Sequence, residues 1–218
     1  MRQPIRSLTA ALAAALLCLT ASAGAAAASD EAERAAGYIR DLTDTAIAEL
    51  GDPEASQPAR AQRARQLLEA NFAGRDLGRF VLGRYWRVAT ADQQARFLEL
   101  LREVALQRFL PTFQHLDRDQ VTVQRAIADP QAKGVVRVVT RIDVPQRAPV
   151  ELAWRVRPVE AGGFEIVDIM AEGVSMAITL RSEYASVIDR NGGQVQPLLD
   201  QLEQRLAEGT TPAWGADG

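Results

Sequence analysis

Asp168, Glu172 and Tyr184 fall within one late stretch, DIMAEGVSMAITLRSEY, and are the residues best spaced for acid–base chemistry. Held between a sheet and helices, one of these carboxyls could act as a general acid or base once burial raised its pKa. The stretch supplies no His, no Cys and no Ser/His/Asp arrangement beside them. An Asp in a late strand more often pairs with an Arg, and Arg155 and Arg157 are at hand, so the structural role is the better reading. His115, the single histidine, follows a helix end, where a histidine is usually exposed and interacts with the helix dipole, and it has no neighbours with metal-ligand spacing. No catalytic residue, metal or cofactor is expected.

The elements that would carry these groups change period once along the chain. Ala32, Ala35, Ile39, Leu42, Ala46 and Leu50 recur at spacings of three and four and mark a helix that Gly51-Asp52-Pro53 ends. Ala61, Ala64, Leu67, Leu68 and Phe72 mark a second, and a short segment, DLGRFVLG, follows. Thr90 and Gln93 form a capping-box signature ahead of a third helix with Phe97, Leu100, Leu101, Val104 and Leu110 on its apolar stripe, and Pro111 should kink or end it. The period then becomes two. Val121–Ile127, Val136–Val144, Val150–Val156 and Phe164–Ala171 read as four strands joined by hairpin-length connections, an antiparallel meander. Helices near 177–190 and 195–208 close the chain, and the tail 209–218 is expected to be disordered. This order is α+β: a curved four-stranded antiparallel sheet covered by several helices, in one domain over residues 29–208.

The N-terminus bears on compartment. Arg2 and Arg6 precede an uncharged apolar run from Leu8 to Leu19, and small residues offer cleavage after Ala23 or Ala28, so residues 1–28 read as a secretory signal peptide. The run is shorter than the roughly 20 apolar residues of a membrane span. Cys18, the lone cysteine, follows Leu17 rather than the small residue lipoprotein processing requires, and cleavage would remove it. Disulfides and thiolate chemistry are then excluded, and the fold rests on its core. Cleavage leaves 23 basic against 28 acidic residues and moves the formal charge from −3 to −5, which argues against nucleic acid as a partner.

Two apolar clusters lie at breaks between elements: Phe80, Val81, Leu82, Tyr85 and Trp86 beside Gly83, and Val174, Met176 and Ile178 after Gly173. Most such residues in any protein are plain core. Their placement at breaks, where a gap between layers opens most readily, suits a cavity mouth.

At these residues a resemblance appears. FVLGRYWRVATADQQARFLELLRE and DIMAEGVSMAITLRSEY resemble characteristic segments of the periplasmic phospholipid-binding proteins of the maintenance-of-lipid-asymmetry system, also called toluene-tolerance proteins, and the likeness runs from about residue 30 to 208 in the same element order. It implies a cone-like fold related to nuclear-transport-factor-like and cystatin-like sheets, with phospholipid tails between sheet and helices. It implies a periplasmic carrier rather than an enzyme, with an outer-membrane lipoprotein–porin complex and an inner-membrane ABC-type lipid transporter as partners. By position it brings Phe80, Phe109 and Val174 to the tail pocket. With the apolar clusters and the facing strand residues, the expected lining comprises Phe80, Val81, Tyr85, Leu101, Phe109, Val138, Leu152, Trp154, Val174, Met176 and Ile178. Arg84 and Trp86 stand where the family varies. The alternatives are a cone-fold enzyme acting on a small apolar substrate and an interaction module with a filled core. Physics favours a carrier: at about 0.8 kcal/mol per CH₂, exposing roughly 30 methylenes to water costs on the order of 20 kcal/mol.

Overall fold

The computed structural model describes residues 8–113 and 116–210, with side chains placed from residue 28 onward. Of the leader expected over residues 1–28, residues 1–7 lie outside the described residues and 8–28 form the start of the first helix; His115 and residues 211–218 lie outside as well. Helices α1 (Leu8–Leu50), α2 (Gln57–Asn71), α3 (Gly74–Leu82) and α4 (Ala91–Phe113) come first, with a 3₁₀ turn at Gly83–Arg87 between the last two. Strands β1 (Val121–Ala128), β2 (Val136–Ile142), β3 (Val150–Pro158), β4 (Phe164–Ala171) and β5 (Val174–Ser175) follow, and α5 (Met176–Arg190) and α6 (Gln196–Glu208) close the chain.

The sheet is an antiparallel meander in the order β1-β2-β3-β4-β5. It has five strands rather than four. The fifth is two residues long, too short to show an alternation of period two, and a tight turn at Glu172 and Gly173, both at positive φ (48° and 80°), folds it back on β4. Bulges between Val123 and Arg125 and between Arg155 and Val156 interrupt the register, and bulges bend and twist the strands that carry them.

Alternation sends the two faces of the sheet to different environments. Val136, Val138, Val156 and Ile166 pack on Ala35 and Ile39 of α1. A second core forms away from the sheet, where Val81, Leu82, Tyr85, Phe97, Leu100, Tyr184, Ile188 and Leu199 join α3, α4, α5 and α6. A third, smaller cluster of Ala46, Leu50, Ala64 and Leu106 joins α1, α2 and α4. The α4 start is built as its sequence implies, Gln93 N–H donating to Thr90 Oγ1 (3.2 Å) and Thr90 N–H to the Gln93 amide oxygen (3.1 Å). Pro111 falls two residues before the end of this helix. The end of α2 is tied to the sheet, Ala73 N–H donating to the Ile166 carbonyl at 3.0 Å.

Candidate functional site

Between the first and third of these clusters the packing stops short of closure and leaves a cavity of about 260 Å³. Its walls come from elements far apart in the chain: Leu42, Ala46 and Leu50 of α1; Leu67 and Leu68 of α2; Leu106, Phe109, Leu110 and Phe113 of α4; Thr140, Leu152, Trp154, Ile169 and Ala171 of the sheet. Val174, Met176 and Thr179 line it where β5 passes into α5. Arg108 is the one ionisable residue in the described lining.

The polar atoms of the wall are turned back on the chain. Thr140 Oγ1 accepts from Trp154 Nε1 at 2.9 Å and donates to the Leu152 carbonyl at 3.4 Å. Thr43 Oγ1 donates to the Ile39 carbonyl (2.8 Å) and Thr179 Oγ1 to the Ser175 carbonyl (3.0 Å), so these three threonines spend their hydroxyls locally. An apolar engineered cavity of about 150 Å³ stays dry and takes up hydrocarbon. The space here is larger and suits hydrocarbon better than water.

Of the eleven lining residues expected, Phe109, Leu152, Trp154, Val174 and Met176 border this cavity. The other six do not. Val138 shares the correct sheet face but lies fully buried under Ile39 of α1, one step along the strands from the opening. Val81 and Tyr85 belong to the helical core around Phe97 and Tyr184, with Leu101 packed against it. Phe80 and Ile178 point to solvent, 42% and 58% exposed. The reasons differ: α3 and the turn after it pack on α4 and α5 and so turn Val81 and Tyr85 into the helical core, Leu101 leans on that same core from α4, α1 closes over Val138, and Phe80 and Ile178 sit on the outer side of the α3–α5 pair. Conversely, Leu42, Ala46, Leu50, Leu67, Leu68 and Phe72 line the cavity although their helical spacing marks them only as one face of a helix, and Leu106 and Phe113, which the apolar stripe of the third helix does not include, line it too.

The acid–base trio is not brought together. Asp168 is buried, accepting from Ser175 Oγ (2.6 Å), Ala177 N–H (3.1 Å) and Arg155 (3.4 Å), the Arg partner among those anticipated. Glu172 accepts from Glu151 N–H at 3.0 Å on the exposed turn. Tyr184 stacks edge-on against Phe97 in the helical core, its hydroxyl without a hydrogen-bond partner in the described structure, and burial pushes its phenol well above the usual range. None of the three lines the cavity. Behind the sheet, Asp129 has no exposed side-chain surface and accepts from Arg155 (2.9 Å), Arg137 (3.3 Å) and Gln131 N–H (2.7 Å). Burial raises its pKa, but these donors outweigh it and hold the carboxyl below the usual carboxylate range. Among the described residues no group of three or more His, Cys, Asp and Glu could hold a metal ion, and no helix is long and apolar enough to cross a membrane.

Two comparisons bear on this geometry. The family model described as MlaC protein matches residues 40–204. Among solved structures, the phospholipid-binding protein from Ralstonia solanacearum, determined in complex with a phospholipid, superposes with a TM-score of 0.67 at 20% identity, over 80% of this chain and 98% of that one. At that identity the likeness speaks for the fold, and the mixed architecture with an open antiparallel sheet is common to both.

Proposed function

The chain belongs to the MlaC protein family, and from that premise we propose that it is a phospholipid carrier, holding acyl tails in the cavity between α1, α2, α4 and the sheet. The observation that carries the reading is the cavity itself: about 260 Å³ walled mainly by hydrocarbon, with the hydroxyls of Thr43, Thr140 and Thr179 bonded back to the chain. Phe109, Leu152, Trp154, Val174 and Met176 are assigned to the tails, together with the helix residues Leu42, Leu50, Leu68 and Phe113. That a solved structure of similar fold holds a phospholipid supports the reading of the ligand class.

In this reading the exported protein moves phospholipid across the periplasm, exchanging it with an outer-membrane lipoprotein–porin complex and with an inner-membrane ABC-type transporter. Such a carrier needs no nucleophile, metal or nucleotide. It lowers the barrier by replacing the bilayer's apolar surroundings with its own. The engagement of Asp168 by Ser175, Ala177 and Arg155 supports a structural role for the one buried carboxylate near the cavity end of α5. The test is lipid extraction and mass spectrometry of the protein purified gently after export. Phospholipids of mixed headgroup and chain length, near one per protein, are expected; protein free of lipid under those conditions would overturn the reading.

A further inference from the structure

The chain is acidic overall, formal charge −3, and many of its arginines are held by carboxylates. Those on the sheet are tied to carboxylates: Arg137 and Arg155 to Asp129, Arg141 to Asp143, Arg157 to Asp76 and Glu165. Arg75, Arg79 and Arg181 are exposed and pair with no carboxylate among the described residues. They gather on α3 and the first turns of α5. Asp76, the acid of α3, is already held by Arg157 at 2.9 Å.

The same surface exposes apolar side chains. The Arg181 guanidinium lies over the Phe80 ring, 5.0 Å from its centroid, which places α3 directly beside α5. Gly83 permits the approach: at φ 55° it passes under Arg181, whose guanidinium would stand 3.1 Å from an added Cβ. Ile178, one turn before Arg181, is 58% exposed, and Val174, 56% exposed, is also part of the cavity wall. Through Arg181, Ile178 and Val174 the start of α5 therefore carries this surface from α3 to the cavity wall. That pairing of basic charge with exposed apolar groups is what binds a protein to the surface of an anionic bilayer.

We propose that the α3–α5 surface docks the carrier transiently on an anionic phospholipid bilayer, Arg75, Arg79 and Arg181 meeting lipid phosphates while Phe80 and Ile178 enter the interface and the Val174 mouth faces the lipid. A bilayer is favoured over an acidic protein because the surface is continuous with the opening through which the cargo passes, and the bilayer is made of that cargo. The inference rests on the reading of the cavity as a phospholipid site.

The experiment is flotation of the exported, processed protein with vesicles of phosphatidylcholine alone or with about 30% phosphatidylglycerol, at roughly 0.05 M and 0.5 M NaCl, with bound lipid measured on the same preparation. Binding to the anionic vesicles at low salt, little binding to the neutral ones, and loss at high salt are expected. Arg79→Gln with Arg181→Gln should weaken binding by about twentyfold, and Phe80→Ser should weaken it at low salt as well, while both variants keep their co-purified phospholipid. Equal binding to neutral and anionic vesicles, variants that bind like the parent, or salt-sensitive binding only to an acidic protein would each overturn the docking surface. A parent that carries phospholipid yet ignores vesicles overturns docking alone; a parent that carries none overturns the cavity reading and docking with it.

Discussion

At Val174 one side chain is both 56% exposed and part of the cavity wall, a combination that separates ligand binding from folding. Val174→Glu places a carboxylate against hydrocarbon, where an unpaired charge is costly. The group can reach water once the tails are gone, so the variant is expected to fold with native-like circular dichroism and to extract with little phospholipid. An unfolded variant, or a folded one with stoichiometric lipid, would return Val174 to ordinary core or surface. Val138→Glu, buried under Ile39, is the contrast and should not fold. Asp168 tests the opposite case. In Asp168→Asn an amide NH₂ takes the place of the oxygen that accepts from Ser175 and Arg155, and the charge opposite Arg155 is lost, which should cost about 1–3 kcal/mol in urea unfolding and leave lipid content unchanged. At this scale the chain was half legible. Phe109, Trp154 and Val174 were readable as apolar residues at the cavity, but Val81, Tyr85 and Val138 carry the same chemistry into closed core. Tails and core are both hydrocarbon, and residue type alone does not separate them.

The element that sets the mouth is the start of α5. Ser175 caps it by accepting from Ile178 N–H at 3.1 Å while donating to Asp168 at 2.6 Å, and Gly173 turns the chain into β5 at φ 80°. Ser175→Ala removes both hydrogen bonds and should lower stability by about 1–2 kcal/mol, read from the urea midpoint; a change within a few tenths would mean the cap contributes nothing here. Most elements were readable because their periods are long. The α1, α2, α4, α5 and α6 stripes and the alternation of β1 to β4 all follow their sequence patterns. Two features escaped. Most of DLGRFVLG lies in α3, but nine residues ended by Gly83 span only about two and a half turns of pattern, and β5 is a single strand period long. The docking of α1 and α2 against α4 was also hidden, since an amphipathic stripe states that a face is buried without stating against what.

Over the whole molecule, stability is set by charge pairs behind the sheet and between α2 and α4 on one hand, and by an unfilled space on the other. The Asp129 carboxyl is held low by Gln131, Arg155 and Arg137 against its burial, and Glu103 is held low by its hydrogen bonds to Arg65, both at 2.9 Å. Folded pKa values below the unfolded ones mean that the unfolded chain takes up protons first, so this stability is full above about pH 4–5 and is lost as the pH falls further. Urea midpoints measured downward from neutrality should show that acid limb, and Asp129→Asn should flatten it while lowering stability at neutral pH. The space works in the other direction. At about 24 cal/mol per Å³, leaving 260 Å³ of apolar volume empty costs on the order of 6 kcal/mol, comparable to the whole stability of many domains. A tail in the cavity restores those contacts and, by mass action, favours the folded state. Stripping the lipid should therefore lower the melting temperature by several degrees. Filling the cavity from its own walls, with Ala46→Leu and Ala171→Ile, should raise the melting temperature of the lipid-free protein, reduce co-purified phospholipid and shrink the difference between loaded and stripped protein. If loaded and stripped forms of the parent melt together, the cavity is not where the lipid's binding energy resides.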